Sequence, residues 1–363
     1  MIRILVVRFR QMGDAILATP LLSTLRANFP DAEIDFVLND RIAPLFQGHP
    51  AVNHIIRFTD DERHSFLTYI KKVWQTVHHT RYDVIIDMRS TANTMLFALF
   101  SLRSKYRIGI SKPYTWGIFN HRIEGCRDDE GMIRHNLRLA EPLKKMADGR
   151  EWKEHKNLTL SIEEKEKQDF RQYMQEQGVD FSRPVMLVGV TAKLADKTWP
   201  EDRMTETLRR FISTFPQWQL IFNYAPGREE ENARRIYDSL AGQAADESSS
   251  SSDTHRSSSI FLNVKATSPR QLAAMAANCT AYFGNEGGAR HIVHAMGRPS
   301  LVICSPGASK KTWLPQDTDI LTQGIAASDI AYVTGLTRQE QYNLITEDMV
   351  WKQLQTFCQQ LAV

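Results

Sequence analysis

Residues 2–30 read IRILVVRFRQMGDAILATPLLSTLRANFP, and their pattern decides the fold. A β-branched run at 2–7 leads through a turn with one glycine into a helical pattern at 15–28. That is the opening strand and helix of a parallel α/β unit. The alternation then continues to the end of the chain. Strands are expected at 33–38, 54–58, 83–87 and 106–110, with helices at 64–79 and 91–101. A second series of strands opens at 184–190 and continues at 218–223, 260–264, 281–284 and 300–304. A chain of 363 residues exceeds one ordinary core. The expected fold class is α/β, with two Rossmann-like domains facing across a cleft and ligands at the carboxyl ends of both sheets. The domains fall at 1–160 and 161–345, and an amphipathic terminal helix over 346–363 is expected to pack back toward the first.

Composition excludes several classes of function. With 42% hydrophobic and 24% charged residues, the chain reads as soluble and globular. A net charge of +3 gives no general attraction to nucleic acid. Cys126, Cys279, Cys304 and Cys358 are far apart and form no CxxC pair, so neither a disulfide framework nor a zinc site is expected. The longest apolar run, 95–102, is too short to span a bilayer. The first residues enter a strand rather than a signal peptide. Together these predict a cytoplasmic protein. Residues 243–259, QAADESSSSSDTHRSSS, offer almost nothing to bury and predict a disordered surface insertion in the second domain.

Four segments carry chemistry. The first βα turn lacks the GxGxxG that cradles a pyrophosphate. Its single Gly13 is followed by Asp14, whose carboxylate would repel phosphate. Asp14 is either a helix N-cap or a general base toward an acceptor hydroxyl. In VGVTAKLADKTWPEDRM (188–204), Thr191, Lys193 and Lys197 follow the first strand of the second domain, where a nucleotide diphosphate needs neutralising. In AYFGNEGGARHIVHAMGRP (281–299), a strand ends at Gly284 and a helix opens near Gly288, leaving bare backbone N–H groups as an anion site. In PGREEENARRI (226–236), acidic residues open a helix, where they suit the dipole or accept hydrogen bonds from ribose.

Taken in order, these segments resemble the heptosyltransferase family of bacterial envelope synthesis, glycosyltransferase family 9, whose fold is GT-B. GDAILATPLLSTLRANFP is similar to the family's Gly-Asp turn, which assigns the catalytic base to Asp14. KTWP resembles its Lys-x-Trp-Pro element, which assigns the donor diphosphate contact to Lys197. GNEGGARH is similar to its donor loop, which adds Asn285, Glu286, Gly287, Gly288 and His291 to Thr191 and Lys193 as donor-binding residues. EEEN aligns with the nucleoside-contacting segment and points to Glu230. Glu286 and Gly287 depart from the family's usual Asp and Ser or Thr. The resemblance implies inverting transfer of a heptose from ADP-heptose to a lipopolysaccharide core acceptor, with no essential metal and no other cofactor. The partners are then the nucleotide sugar and an anionic lipid-linked saccharide, with peripheral contact at the inner membrane and no nucleic acid. Arg10, Arg89, Arg122 and His135 are the candidates for the acceptor side. The alternatives are a sugar-nucleotide epimerase, which would turn the donor over without acceptor, and a non-catalytic nucleotide-sugar-binding paralogue.

Overall fold

Residues Ile4 to Val7 are wholly excluded from solvent, because a strand flanked by helices on both faces of its sheet is apolar at every position. The computed structural model describes residues 1–127, 130–147, 149–247, 259–307, 309–315 and 317–361. The chain divides into two compact units, Met1–Ser161 with Pro315–Asp319, and Ile162–Leu314 with Ile320–Val363. Five residues from the second half thus belong to the first unit. Asn157 holds them through its Nδ2, 2.6 Å from Asp319 Oδ2, and its Oδ1, which accepts from Asp319 N.

The first unit is built on β1 (Arg3–Val7), β2 (Glu33–Asn39), β3 (His54–Phe58), β4 (Val84–Asp87), β5 (Tyr106–Ile110) and β6 (His121–Ile123). They are parallel and lie in the order β3-β2-β1-β4-β5-β6. Its helices are α1 (Met12–Ile16), α2 (Thr19–Asn28), α3 (Asp60–His64), α4 (Phe66–His79), α5 (Leu96–Leu99) and α6 (Met132–Arg138). The single helix expected at 15–28 is two. Pro20 opens α2 without an N–H to donate, and Thr19 Oγ1 bonds the Ile16 carbonyl at 2.7 Å, closing the break. The helix expected at 91–101 shrinks to α5. Thr94 Oγ1 accepts from Thr91 N, a local bond that competes with helix. On α4, Tyr69, Val73 and Val77 recur every four residues and are buried against Val7, Phe58, Ile85 and Phe97. Each such side chain contributes about 1.5–3 kcal/mol.

The second unit repeats the plan with β7 (Val185–Gly189), β8 (Gln219–Phe222), β9 (Ile260–Phe261), β10 (Ala281–Asn285), β11 (Ser300–Ile303) and β12 (Thr322–Ile325). Their order is β12-β11-β10-β7-β8-β9, again all parallel. The helices are α7 (Glu164–Glu176), α8 (Glu201–Thr214), α9 (Arg228–Glu247), α10 (Pro269–Ala277), α11 (Gly288–Ala295), α12 (Lys310–Trp313), α13 (Arg338–Leu344) and α14 (Glu347–Gln360).

Two expectations change here. The terminal helix α14 buries Val350, Leu354, Phe357 and Cys358 in the core of the second unit, so its apolar face is engaged there. Of the insertion expected to be disordered over 243–259, residues 243–247 are helical as part of α9, and its last residue is fixed. Ser259 is buried, and its Oγ accepts from Arg183 Nη2 at 3.1 Å. Residues 248–258 lie outside the described residues. The edge strands β6 and β12 went unanticipated. HRI and TQGI are short and half polar, as edges are.

In both sheets the strand order reverses beside the first strand, between β1 and β4 and between β7 and β10. Doubly wound sheets bind ligands at the carboxyl ends of such strands. Among the described residues, no helix is long and apolar enough to cross a membrane.

Candidate functional site

In the second unit, β7 and β10 meet at their carboxyl ends through glycine. Gly284 has φ +137, and a Cβ there would lie 2.4 Å from the Gly189 carbonyl oxygen, so no side chain fits. Asn285 then ties the two loops together. Its Oδ1 accepts from Trp199 N at 2.8 Å, its Nδ2 donates to Gly189 O at 3.0 Å, and it is 1% exposed. The Asn285 side chain, expected to bind a donor, is thus committed within the protein. It fixes the 191–199 loop to the sheet. Trp199 is wholly buried, and its indole N–H donates to Ile345 O at 3.1 Å. Lys197, two residues earlier, is half-buried, and its ammonium makes no hydrogen bond or ion pair among the described residues. Lys193 is exposed. Its carbonyl accepts from Arg228 Nη2 at 2.8 Å, a cross-loop contact that the sequence reading missed.

The start of α11 is bare. Gly287 occupies the N-cap with no side-chain hydrogen bond, and a Cβ there would meet nothing within 4 Å. The first N–H groups of the helix, from Gly288 on, lack a side-chain cap, an arrangement that favours anions. Glu286 beside it is partly committed, since its Oε2 accepts from Ser305 N at 3.0 Å and Ser305 Oγ at 2.7 Å. His291 lies inward. It is buried, its Nε2 is 2.9 Å from Arg290 Nη2, and burial with the Arg290 charge holds its pKa well below the ordinary 6.5. A guanidinium only donates, so Nε2 accepts and the proton sits on Nδ1. Arg290, expected to add charge at the helix start, is wholly buried and donates to Trp313 O.

The acidic segment divides its labour differently from the expectation. Glu229 Oε2 accepts from Thr191 Oγ1 at 3.1 Å, so Thr191 and Glu229 join the ends of β7 and β8. Glu230 pairs with Lys265 Nζ at 2.7 Å, which lowers its pKa.

In the first unit the loops after β1 and β4 converge on Asp14. The N-cap of α1 is Gln11 and Asp14 stands inside the helix, so the capping role is excluded. Its Oδ1 instead receives Arg8 Nη2 at 3.1 Å and Arg10 Nη1 at 3.4 Å. No hydrogen bond among the described residues uses Oδ2. Arg8 is 3% exposed. Burial lowers its pKa to about 10, although Asp14 opposes the shift. Arg89 donates to Phe9 O at 2.8 Å, and Arg10 is a charge neighbour. The turn is held tightly, because Asp87 Oδ1 accepts from Arg89 N and from Ser90 N, and Ser90 sits at φ +50. The surroundings of Asp14 are thus cationic, and the expectation that its charge alone would set the local field is corrected. His135 is buried, with Nδ1 3.8 Å from Glu130 Oε2 and Arg8 among its charge neighbours; burial lowers its pKa. Arg122 is exposed on the edge strand β6 and makes no contact with the Asp14 cluster among the described residues.

Two groups of described residues bring three ligand-type atoms within 4.8 Å of one another, Cys126 with Glu130 and His135, and Glu33 with Asp35 and His54. Protein donors already hold carboxylates in both. Arg138 Nε is 3.3 Å from Glu130, and Tyr82 donates to Asp35 at 2.6 Å. Neither group is in the loops after β7 and β10.

A family model described as glycosyltransferase family 9 (heptosyltransferase) matches residues 70–322. The chain belongs to glycosyltransferase family 9. It is 18% identical over 310 residues to lipopolysaccharide heptosyltransferase 1 of Campylobacter coli, 83% of each chain. It is 27% identical over 141 residues to lipopolysaccharide heptosyltransferase 3 of Escherichia coli strain K12, a match spanning 37% of this chain and only 40% of that protein. Its fold is that of the solved E. coli ADP-heptose lps heptosyltransferase II, with TM-score 0.73, 20% identity and both chains fully covered. That fold is GT-B. This family 9 glycosyltransferase therefore brings together Asp14, Arg10 and Arg89 in one unit, and Thr191, Lys193, Lys197, Glu286, Gly287 and Gly288 around one sheet edge in the other. It diverts Asn285, His291 and His135 to internal positions.

Proposed function

We propose that this protein moves a heptose from ADP-heptose to an anionic, lipid-linked saccharide of the lipopolysaccharide core, with inversion and without a metal. The observation that carries the reading is the state of Asp14, one oxygen pinned by Arg8 and Arg10 and the other unengaged. In the reaction Asp14 Oδ2 takes the proton of the acceptor hydroxyl. The hydroxyl oxygen bonds to the anomeric carbon as the bond to the diphosphate oxygen breaks, and that oxygen leaves with the electron pair. The Lys197 ammonium and the uncapped N–H groups at the start of α11 stabilise the departing charge. Arg10 and Arg89 supply cations for a phosphate or carboxylate of the acceptor. Family membership and the name of its E. coli structural relative support ADP-heptose as donor.

The test is transfer in solution. With ADP-heptose and a heptose-deficient core acceptor, ADP release should require the acceptor, and the product should carry the inverted anomer by NMR. Consumption of the donor without acceptor, giving an isomeric nucleotide sugar, would overturn the proposal in favour of an epimerase.

A further inference from the structure

The large apolar side chains that this chain leaves in water are unevenly placed. Phe66, Leu67, Trp74, Leu102, Tyr114 and Trp116 are all more than half exposed, with Leu67 at 79% and Trp116 at 78%. They occur within 51 residues of the first unit. They also belong to one layer. Inner residues of α4, of α5 and of the β5–β6 connection, among them Tyr69, Val73, Phe97 and Phe119, share one buried cluster on one face of the sheet. The exposed residues are the outer side of those same segments. On α4, Leu67, Lys71 and Trp74 follow helical spacing and all face solvent. Phe100, just past α5, packs edge-on against Trp74 with centroids 5.5 Å apart, so the stripe continues across the helix boundary.

The charge of this stretch is as uneven as its hydrophobicity. Residues 63–123 hold ten Lys and Arg against two acidic residues, Asp83 and Asp87, and Asp87 is wholly buried. Of the chain's 45 basic and 42 acidic residues, the remainder therefore keeps 35 and 40 and is net negative. Lys71, Arg103 and Lys105 lie exposed on or beside the stripe. Patches of exposed Trp, Phe and Leu mark contact surfaces. Interleaved with more cations than anions, and with the neighbouring Glu62 already paired to Lys72, they match the interface of an anionic bilayer, where aromatic rings sit at the headgroup level and lysine and arginine meet lipid phosphate.

We infer that the outer surface of α4, α5 and the 113–119 loop docks this protein on anionic lipid bilayers. The inference deepens the proposed use of a lipid-linked acceptor by naming the surface that meets the membrane. Leu67 and Trp116 insert their apolar side chains among the headgroups, while Lys71 and Arg103 bind lipid phosphates.

Flotation of the full-length protein with vesicles tests it. Wild type should partition onto vesicles of phosphatidylethanolamine with phosphatidylglycerol and stay off vesicles of phosphatidylcholine alone. Lys71→Glu/Arg103→Glu should weaken partition by well over the about fivefold expected for each neutralised cation, and added salt should weaken wild type as well. Leu67→Ser/Trp116→Ser should lose binding even at low salt, whereas Tyr332→Ser/Met349→Ser, exposed apolar positions of the second unit, should bind like wild type. All variants should keep wild-type melting temperature and ADP affinity. That separates failure here from failure of the proposed transfer, because ADP binding and transfer to a water-soluble acceptor do not require this surface. Wild type that ignores anionic vesicles, or patch variants that bind them normally, would overturn the inference. So would wild-type dimers that Trp116→Ser dissolves while no form binds vesicles.

Discussion

Asp14→Asn separates two accounts of one carboxylate. Were Asp14 a helix cap, asparagine would replace it at little cost, since Asn caps about as well as Asp. The structure places it instead as the anion facing Arg8, with side chains 11% and 4% exposed. Arg8 would keep its bonds to the Met88 carbonyl at 2.9 Å and the Asp14 carbonyl at 3.3 Å, and Asn Oδ1 would still accept from Nη2. What is lost is the charge in that hydrogen bond. Charge-assisted bonds contribute about 1.5–3 kcal/mol and neutral ones about 0.5–1.5, so the expected loss is about 1–2 kcal/mol. For a unit of this size that lowers the melting temperature by roughly 2–8 °C. Asp14→Ala, which leaves the buried guanidinium with no partner side chain, should cost about 3–5 kcal/mol. In the double variant Arg8→Met/Asp14→Asn the penalties should fall short of additivity, because both remove one interaction. Turnover of Asp14→Asn should drop by roughly 10² to 10⁴, the usual contribution of a general base, with ADP affinity unchanged. Calorimetry, thermal unfolding and steady-state rates read these three quantities independently. An unchanged melting temperature for both Asp14 variants would refute the ion-pair account, and near wild-type turnover would refute the base.

Lys197→Ala should raise the dissociation constant for ADP by roughly 10- to 150-fold, a charge-assisted contact of about 1.5–3 kcal/mol, without loss of stability. Calorimetric affinity equal to wild type would remove Lys197 from the donor site. Asn285→Ala strands Trp199 N and Gly189 O in a buried place, so it should destabilise by about 2–4 kcal/mol and weaken ADP binding through the displaced 191–199 loop; a stable variant with intact ADP affinity would contradict that brace. His49 is held neutral by burial, its pKa lowered from 6.5 to about 4. Below pH 6.5 the unfolded chain takes up a proton that the folded one refuses, so stability falls as pH drops from 6.5 toward 4, by about 3 kcal/mol from this group. His49→Gln should flatten that part of the melting-temperature profile, and a slope as steep as wild type would assign it elsewhere. Transfer should persist in EDTA, and loss of activity restored by Mg²⁺ would replace the lysine and helix terminus with a cation.

The sequence displays the central strands openly, because β1 after Arg3 and the whole of β7 are apolar and buried, and only burial on both faces explains that. The edge strands β6 and β12 lack the signal, since an edge needs few apolar residues. The break before α2 was present in Pro20, yet the strong apolar spacing on either side concealed it. Asp14 was legible as a reactive carboxylate, but Arg89 lies 75 positions further along and no local pattern brings it near. Asn285 and His291 show the other limit. A motif assigns residues to a loop, while tertiary packing decides which of them face outward.

Trp199 donates its indole N–H to Ile345 O, and Arg203 Nη1 reaches the same carbonyl at 2.7 Å and those of Tyr342 and Asn343 at 3.2 Å. The tail of the chain thus splints a loop encoded some 145 residues earlier. A frameshift or protease cut just before Ile345 would remove nothing that touches nucleotide by this account, yet it would take both the loop's brace and the α14 side chains of the second unit's core, and so surface as a nucleotide-binding defect. Lesions at Ile345 and at the Lys-Thr-Trp-Pro turn should therefore share one phenotype.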